Sequence, residues 1–362
     1  MRRLSIFILF ISFISIHERA NAQGCVAIRS TGGFGNSVKA AQNDTTAKWE
    51  FSTNARYFKS FRHYVGTAEQ KQRQVLGNEV INHSYTQDLT LTRLLSPRWS
   101  VMLDMPIEGN SRSQTYTEKG TLTRFATHSF GVGDVRFAIY GWLINPTKSP
   151  RGNIQVGLGI KLPTGAYNYQ DYFKNSDTTQ QYGPVDQSIQ LGDGGTGITT
   201  ELNAYYNISP RLSVYGNWYY LISPRDQNGT NNYHTPTPSA STVANGSNVL
   251  SVPDQLMARV GFDYMVKNFT FSAGLRDECL PVHDLVGGSD GFRRPGYIID
   301  AEPGITYNFP KVSLYTFVPI ALVRNRTQSV PDKITTALTG KFTQGDAAFA
   351  DYVINIGATF RF

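Results

Sequence analysis

The residues of this chain best suited to nucleophilic, acid–base or metal chemistry are six histidines and two cysteines. A serine activated by a histidine needs both side chains on one side of their element, which on a strand means a spacing of two. None of His17, His63, His83, His128, His234 and His283 has serine two residues later. His83-Ser84 and His128-Ser129 are adjacent, so on strands the partners of each pair face opposite ways. No Cys or His cluster has metal-site spacing, and "LGDGGTG" (residues 191–197) and "GGSDG" (residues 287–291) read as Gly-rich loop tips rather than calcium loops. The expectation is a non-enzyme with neither cofactor nor metal.

The more telling residues are charges set among apolar ones at a period of two. In "NIQVGLGIKL" Ile154, Val156, Leu158, Ile160 and Leu162 share one face and Lys161 lies on the other; in "QLMARVGFDYMV" Val260, Phe262 and Tyr264 oppose Arg259 and Asp263. The same parity puts Asp134, Arg136, Glu201, Arg276 and Glu302 on inward faces. Ionisable groups at membrane depth must face a cavity or one another. They therefore either line a channel or form an internal salt-bridge network that fills the barrel.

Such charges need strands to hold them, and twelve are legible: about 49–58, 80–95, 98–109, 129–144, 153–162, 198–208, 211–222, 254–266, 269–280, 296–309, 311–323 and 349–362. Short turns such as "SPR" (residues 96–98 and 209–211), "KN" (267–268) and "PK" (310–311) alternate with long polar segments at 59–79, 110–128, 163–197, 223–252, 281–295 and 324–347. Strands of roughly ten residues with short turns on one side and long loops on the other predict an all-β fold, a transmembrane antiparallel β-barrel. The count is about twelve, or fourteen if residues 25–48 add a strand pair. Trp49, Trp99, Trp142, Trp218, Tyr307 and Phe362 near strand ends suit interfacial girdles. The last strand, "DYVINIGATFRF", alternates to its aromatic end and resembles the C-terminal signal read by barrel-assembly machinery, an expected partner beside outer-membrane lipid and a small-molecule solute.

Residues 1–22 carry Arg2 and Arg3, an apolar run from Leu4 to Ile16 and Ala20-Asn21-Ala22, the pattern of a secretory signal peptide. Its removal takes away three Arg and one Glu, lowering the net charge from +7 to +5. With no basic run of five or more, nucleic-acid binding is a poor reading. Residues 23–48 are expected to precede the barrel (49–362) as a lumen plug, with Cys25 and Cys279 as its disulfide in an oxidising compartment. About 3.3 Å per extended residue lets that segment span the membrane. Pro163, Pro303 and Pro319 interrupt strands and are candidates for a kink in the wall, or for plain bulges near loop ends.

At "GVGDV" (131–135), "GIKLPTG" (159–165) and "LGDGGTGI" (191–198) the order and spacing resemble an outer-membrane transporter family annotated with the meta-pathway of phenol degradation. That family is similar in turn to long-chain fatty-acid and aromatic-hydrocarbon channels. The resemblance covers roughly residues 95–222. It implies localisation in the bacterial outer membrane and passive uptake of small hydrophobic or aromatic compounds, sometimes past an N-terminal plug and out through a kink in the wall. The alternative is a structural or secretion-associated barrel without transport activity.

Overall fold

The computed structural model describes residues 47–118, 120–174, 180–233 and 237–362. The expected signal peptide and all but the last two residues of the expected plug lie outside them. The alternating segments form one closed antiparallel wall of twelve passes among the described residues. In chain order these are β1 (Trp49–Val65), β2 (Ile81–Leu94), β3 (Trp99–Glu118), β4 (Thr121–Val132 continued by Arg136–Trp142), β5 (Gly152–Lys161) and β6 (Gly197–Asn207). They continue as β7 (Leu212–Ile222), β8 (Gln255–Val266), β9 (Phe269–Leu280), β10 (Gly296–Asn308), β11 (Val312–Phe317 continued by Ile320–Arg326) and β12 (Ala347–Arg361). Closure pairs β12 with β1, setting Phe51 opposite Phe360 and Tyr57 opposite Ile354, so no sheet edge is left in the wall.

The side chains are arranged inside out relative to a soluble protein. On β5, Val156, Leu158 and Ile160 are exposed while Asn153, Gln155 and Lys161 are buried; on β8, Val260, Phe262 and Tyr264 are exposed while Arg259 and Asp263 are buried. Water would penalise such an apolar exterior, and lipid rewards it. Aromatic residues gather at the short-turn rim, where Phe269, Tyr307 and Phe309 contact in sequence at 4.7 and 4.6 Å. The chain is thus a multi-pass outer-membrane barrel.

Several strands differ from their expected bounds. β1 runs on to Val65, and residues 110–128, expected as loop, mostly extend a hairpin in which Ile107–Glu118 pairs with Thr121–Val132. The β-favouring Thr and Tyr of that stretch carry the ladder past the membrane, and Gly120 with φ 80° serves its turn. Conversely, two passes are interrupted: β4 at Gly133-Asp134-Val135, where no break was expected, and β11 at Val318-Pro319, at one of the proline candidates.

The long segments do not simply stand in solvent. Residues 185–196 cross the lumen beneath the rim, burying Val185, Ile189 and Leu191. They lie against the inner wall at β3 and β4, where Ser129 Oγ donates to the Ile189 carbonyl and Arg112 to Ser188. Above them a two-stranded ribbon, Gln227–Asn231 with Val249–Ser251, meets residues 281–295. Buried Arg293 fixes that meeting with two bonds to Asp284, of 2.7 and 2.6 Å, and one to Ser251. Asp186 ties residues 281–295, which form a lid, to the crossing through bidentate Arg294 at 2.8 and 2.7 Å, and ties the crossing to β3 through Arg112 at 3.2 Å.

Candidate functional site

Lys161 ends β5 facing inward, because its parity opposes the lipid-facing Ile160. Its ammonium donates to Asp134 at 3.0 Å, to the Gly195 carbonyl at 2.9 Å, and to Asp193. Asp134 comes from the break in β4 and also accepts from the Gly165 amide at 2.9 Å; Asp193 comes from the lumen-crossing segment. The three short motifs noted in the sequence, each holding one member of this trio, are therefore one clasp in space. Its approach is close enough to demand glycine. A Cβ at Gly165 would lie 2.5 Å from the Leu191 carbonyl oxygen, and one at Gly192 would lie 2.5 Å from Asp134 Oδ1.

Nearer the short-turn side, most of the other expected lumen charges fall into two mutually neutralising groups. In the first, Arg136 bonds Glu201 and lies 3.9 Å from Asp104, while the Tyr140 hydroxyl donates to Glu201 at 3.0 Å. In the second, on the opposite wall, Glu302 accepts from Arg259 and Arg276, each at 3.3 Å, and Arg276 also bonds Glu278. Ser272 donates to Asp263 at 2.7 Å in the same region. Buried carboxylates and guanidiniums hold this state only as pairs. Between clasp and charges lies a chamber whose lining is partly apolar, from Tyr219, Leu221, Leu250 and Leu280, and partly polar, from Lys161, Asp193 and Gln190.

All eight expected lumen residues, Asp134, Arg136, Lys161, Glu201, Arg259, Asp263, Arg276 and Glu302, point inward, though they form separate groups. Among the proline candidates, Pro163 follows β5 outside the strand and is exposed. Pro303 faces outward on β10, its carbonyl taking the Val318 amide at 3.0 Å. Pro319 breaks β11, and beyond it the ladder to β12 consists of one pair, Ile320 with Tyr352. Arg324 fills that seam, donating to the Ala350 carbonyl at 3.0 Å and to Asp351 at 2.7 Å, and Arg62 meets Asp351 from β1 at 2.7 Å. Cys279 is buried, alternating with inward-facing Glu278 and Leu280 near the long-loop end of β9; Cys25 lies outside the described residues.

Sequence reading missed Asp193, Asp186, Arg293 and Asp284. Asp193 sat in a stretch read as a loop tip, and the signal available was its Gly-rich surroundings, which mark close backbone approach as well as freedom. Among the described residues, no group of three or more His, Cys, Asp or Glu is placed to hold a metal ion.

A closed barrel with an apolar exterior, charged lumen and inward-folded loops defines the fold class of an outer-membrane barrel. No protein-family model matches the chain, and no curated protein matches it in sequence. Among solved structures it is similar to the COG4313 outer membrane channel from Pseudomonas putida F1, with TM-score 0.56 and 11% identity over 87% of this chain and 96% of that one. At that identity the likeness is one of fold. Looser matches are the P. putida toluene transporter TodX, at TM-score 0.45 and 7% identity, and a Pseudomonas aeruginosa FadL homologue, at 0.44 and 10%. Both cover 89% of this chain and 92% of their own.

Proposed function

We propose that the protein is a passive outer-membrane channel for small hydrophobic or amphipathic compounds, aromatic ones included. The chamber beneath the lumen-crossing segment carries this reading, because Tyr219, Leu221, Leu250 and Leu280 give an apolar share to a lining otherwise made of fixed polar and charged groups, the mixed surface an amphipathic solute needs. Paired charges beyond it oppose free passage straight along the axis. The β11–β12 seam, held by side chains where backbone bonds are missing, supports a sideways exit into the membrane. Residues 23–48 would gate the lumen; because Cys279 alternates with inward-facing Glu278 and Leu280, a bond to it from Cys25 would have to pass round the rim, and two free thiols in the oxidised protein would overturn that staple. The test of the channel is uptake of a labelled aromatic compound into liposomes holding the purified barrel, beside planar-bilayer conductance. Uptake above that of empty liposomes is expected. Equal uptake by both would leave the barrel a structural one, filled by its own ion pairs.

A further inference from the structure

The outer wall holds a constellation that no linear motif reveals. Ladder pairing places His83 on β2 directly opposite Ser111 on β3, and Ser111 directly opposite His128 on β4. Their inward neighbours Asn82, Asn110, Thr127 and Ser129 are buried, so all three face outward. Cβ atoms of residues directly opposite in an antiparallel pair lie about 4.5–5.5 Å apart. Ser111 therefore stands between two imidazoles.

Each imidazole is oriented by its own partner. The Tyr57 hydroxyl lies 3.0 Å from His83 Nδ1, and Tyr57 is itself stacked on Tyr85 at 4.6 Å. Asp171 accepts the His128 backbone amide at 2.7 Å, and its carboxylate lies 3.8 Å from His128 Nδ1. With the hydroxyl as donor to His83 Nδ1, the ring proton would sit on Nε2, making that nitrogen a donor. The carboxylate beside His128 favours the proton on Nδ1, making Nε2 a base. One hydroxyl is thus flanked by a base and a hydrogen-bond donor, the pair of functions acyl transfer needs.

The setting is equally specific. One row towards the membrane centre lie Tyr57, Tyr85, Gly109 and Phe130, where the missing side chain of Gly109 leaves a shallow outer groove leading to Ile107 and Ile356. The polar row sits just above this aromatic band, at the depth where acyl esters of membrane lipids lie. We propose that Ser111, His128 and His83 form an acyl-ester hydrolase site for lipids of the outer leaflet, with one acyl chain in the groove. Ser111 Oγ attacks the ester carbonyl carbon as its proton passes to His128 Nε2, and the carbonyl oxygen, now an anion, accepts from His83 Nε2–H. The bond to the lipid's alcohol oxygen then breaks and that oxygen takes the proton from His128, leaving acyl-Ser111 and a lysolipid. Water, deprotonated by His128, releases the fatty acid and restores the serine. Asp171 is a positioning residue.

The experiment incubates the purified full-length barrel with a glycerophospholipid in mixed micelles, measures fatty-acid release, and maps labelling by an alkyl fluorophosphonate. Labelling at Ser111 is expected, with release falling about 100-fold or more in Ser111→Ala. Asp171→Asn should lower kcat about tenfold at unchanged KM. Unaltered heat-modifiable migration of each variant shows that the barrel is intact. Release no greater than that of Ser111→Ala, or a label on another residue, overturns the proposal, as does lipid bound in the groove without turnover.

Discussion

Among the described residues two of the wall's passes are broken, and the two breaks are closed by different means. At Gly133-Asp134-Val135 the gap in β4 is filled by the clasp, where Lys161 and Asp134 are largely out of water, Asp193 is partly so, and backbone amides complete the set. At Val318-Pro319 the gap in β11 opens a seam closed by Arg324 and Arg62 on Asp351, whose side chains are 12%, 36% and 31% exposed. Water screens the second arrangement more than the first. One break is a lock and the other a latch, although both begin as the same defect in a strand.

Removing the lock should have the largest effect. Lys161→Met leaves Asp134 and Asp193 together without their cation, and a loss of about 3–5 kcal/mol is expected, read as a lower urea midpoint or as failure to reach the heat-modifiable state. An unchanged midpoint would erase the distinction between the breaks. Gly165→Val comes next: its side chain cannot fit against Leu191, so the crossing segment is displaced, at about 1–3 kcal/mol, and single-channel conductance rises.

The latch should respond differently. Asp351→Ala is expected to lower stability by about 1 kcal/mol or less, yet to raise uptake of an aromatic solute while axial conductance stays the same. Raising salt to about 1 M should imitate it, because the Debye length there is only about 3 Å. Smallest is the effect of mild acid on the lid. Burial alone would raise the Asp186 carboxyl, but Arg112 and Arg294 outweigh it and hold the group well below the usual carboxylate range. A depressed folded value means that its stabilisation is complete above about pH 4, the unfolded value, and is lost only as pH falls further. Hydrogen exchange of residues 185–196 should therefore show no loosening of the Asp186 tie between pH 8 and 5.

The difference between the breaks also marks what the sequence could show. Strands were legible because lipid outside and charge inside impose a period of two, as on β5 and β8. Pro319 announced its break through the missing amide, whereas Gly133 did not, because its break depends on Asp134 finding Lys161 and Asp193 across the fold. The inward turn of residues 185–196 was hidden for a related reason. Its polar composition suits solvent, and only contacts with Arg112, Ser129 and Arg294 hold it in the lumen. Cross-strand neighbours such as His83, Ser111 and His128 escape any search for fixed spacing, since hairpin lengths set their register.

The closing register of β12 on β1 bears on how the barrel is made. The Ser52 and Thr359 hydroxyls meet at 2.9 Å although 307 positions separate them along the chain. Until β12 is delivered, the other passes form a sheet with two open rims, each offering rows of unspent amides and carbonyls to any neighbouring chain. Maturation is therefore timed by the last strand to arrive, and contacts this distant form slowly. A polypeptide stalled before β12 would wait as a sticky ribbon, dependent on escorts until its own tail can seal it.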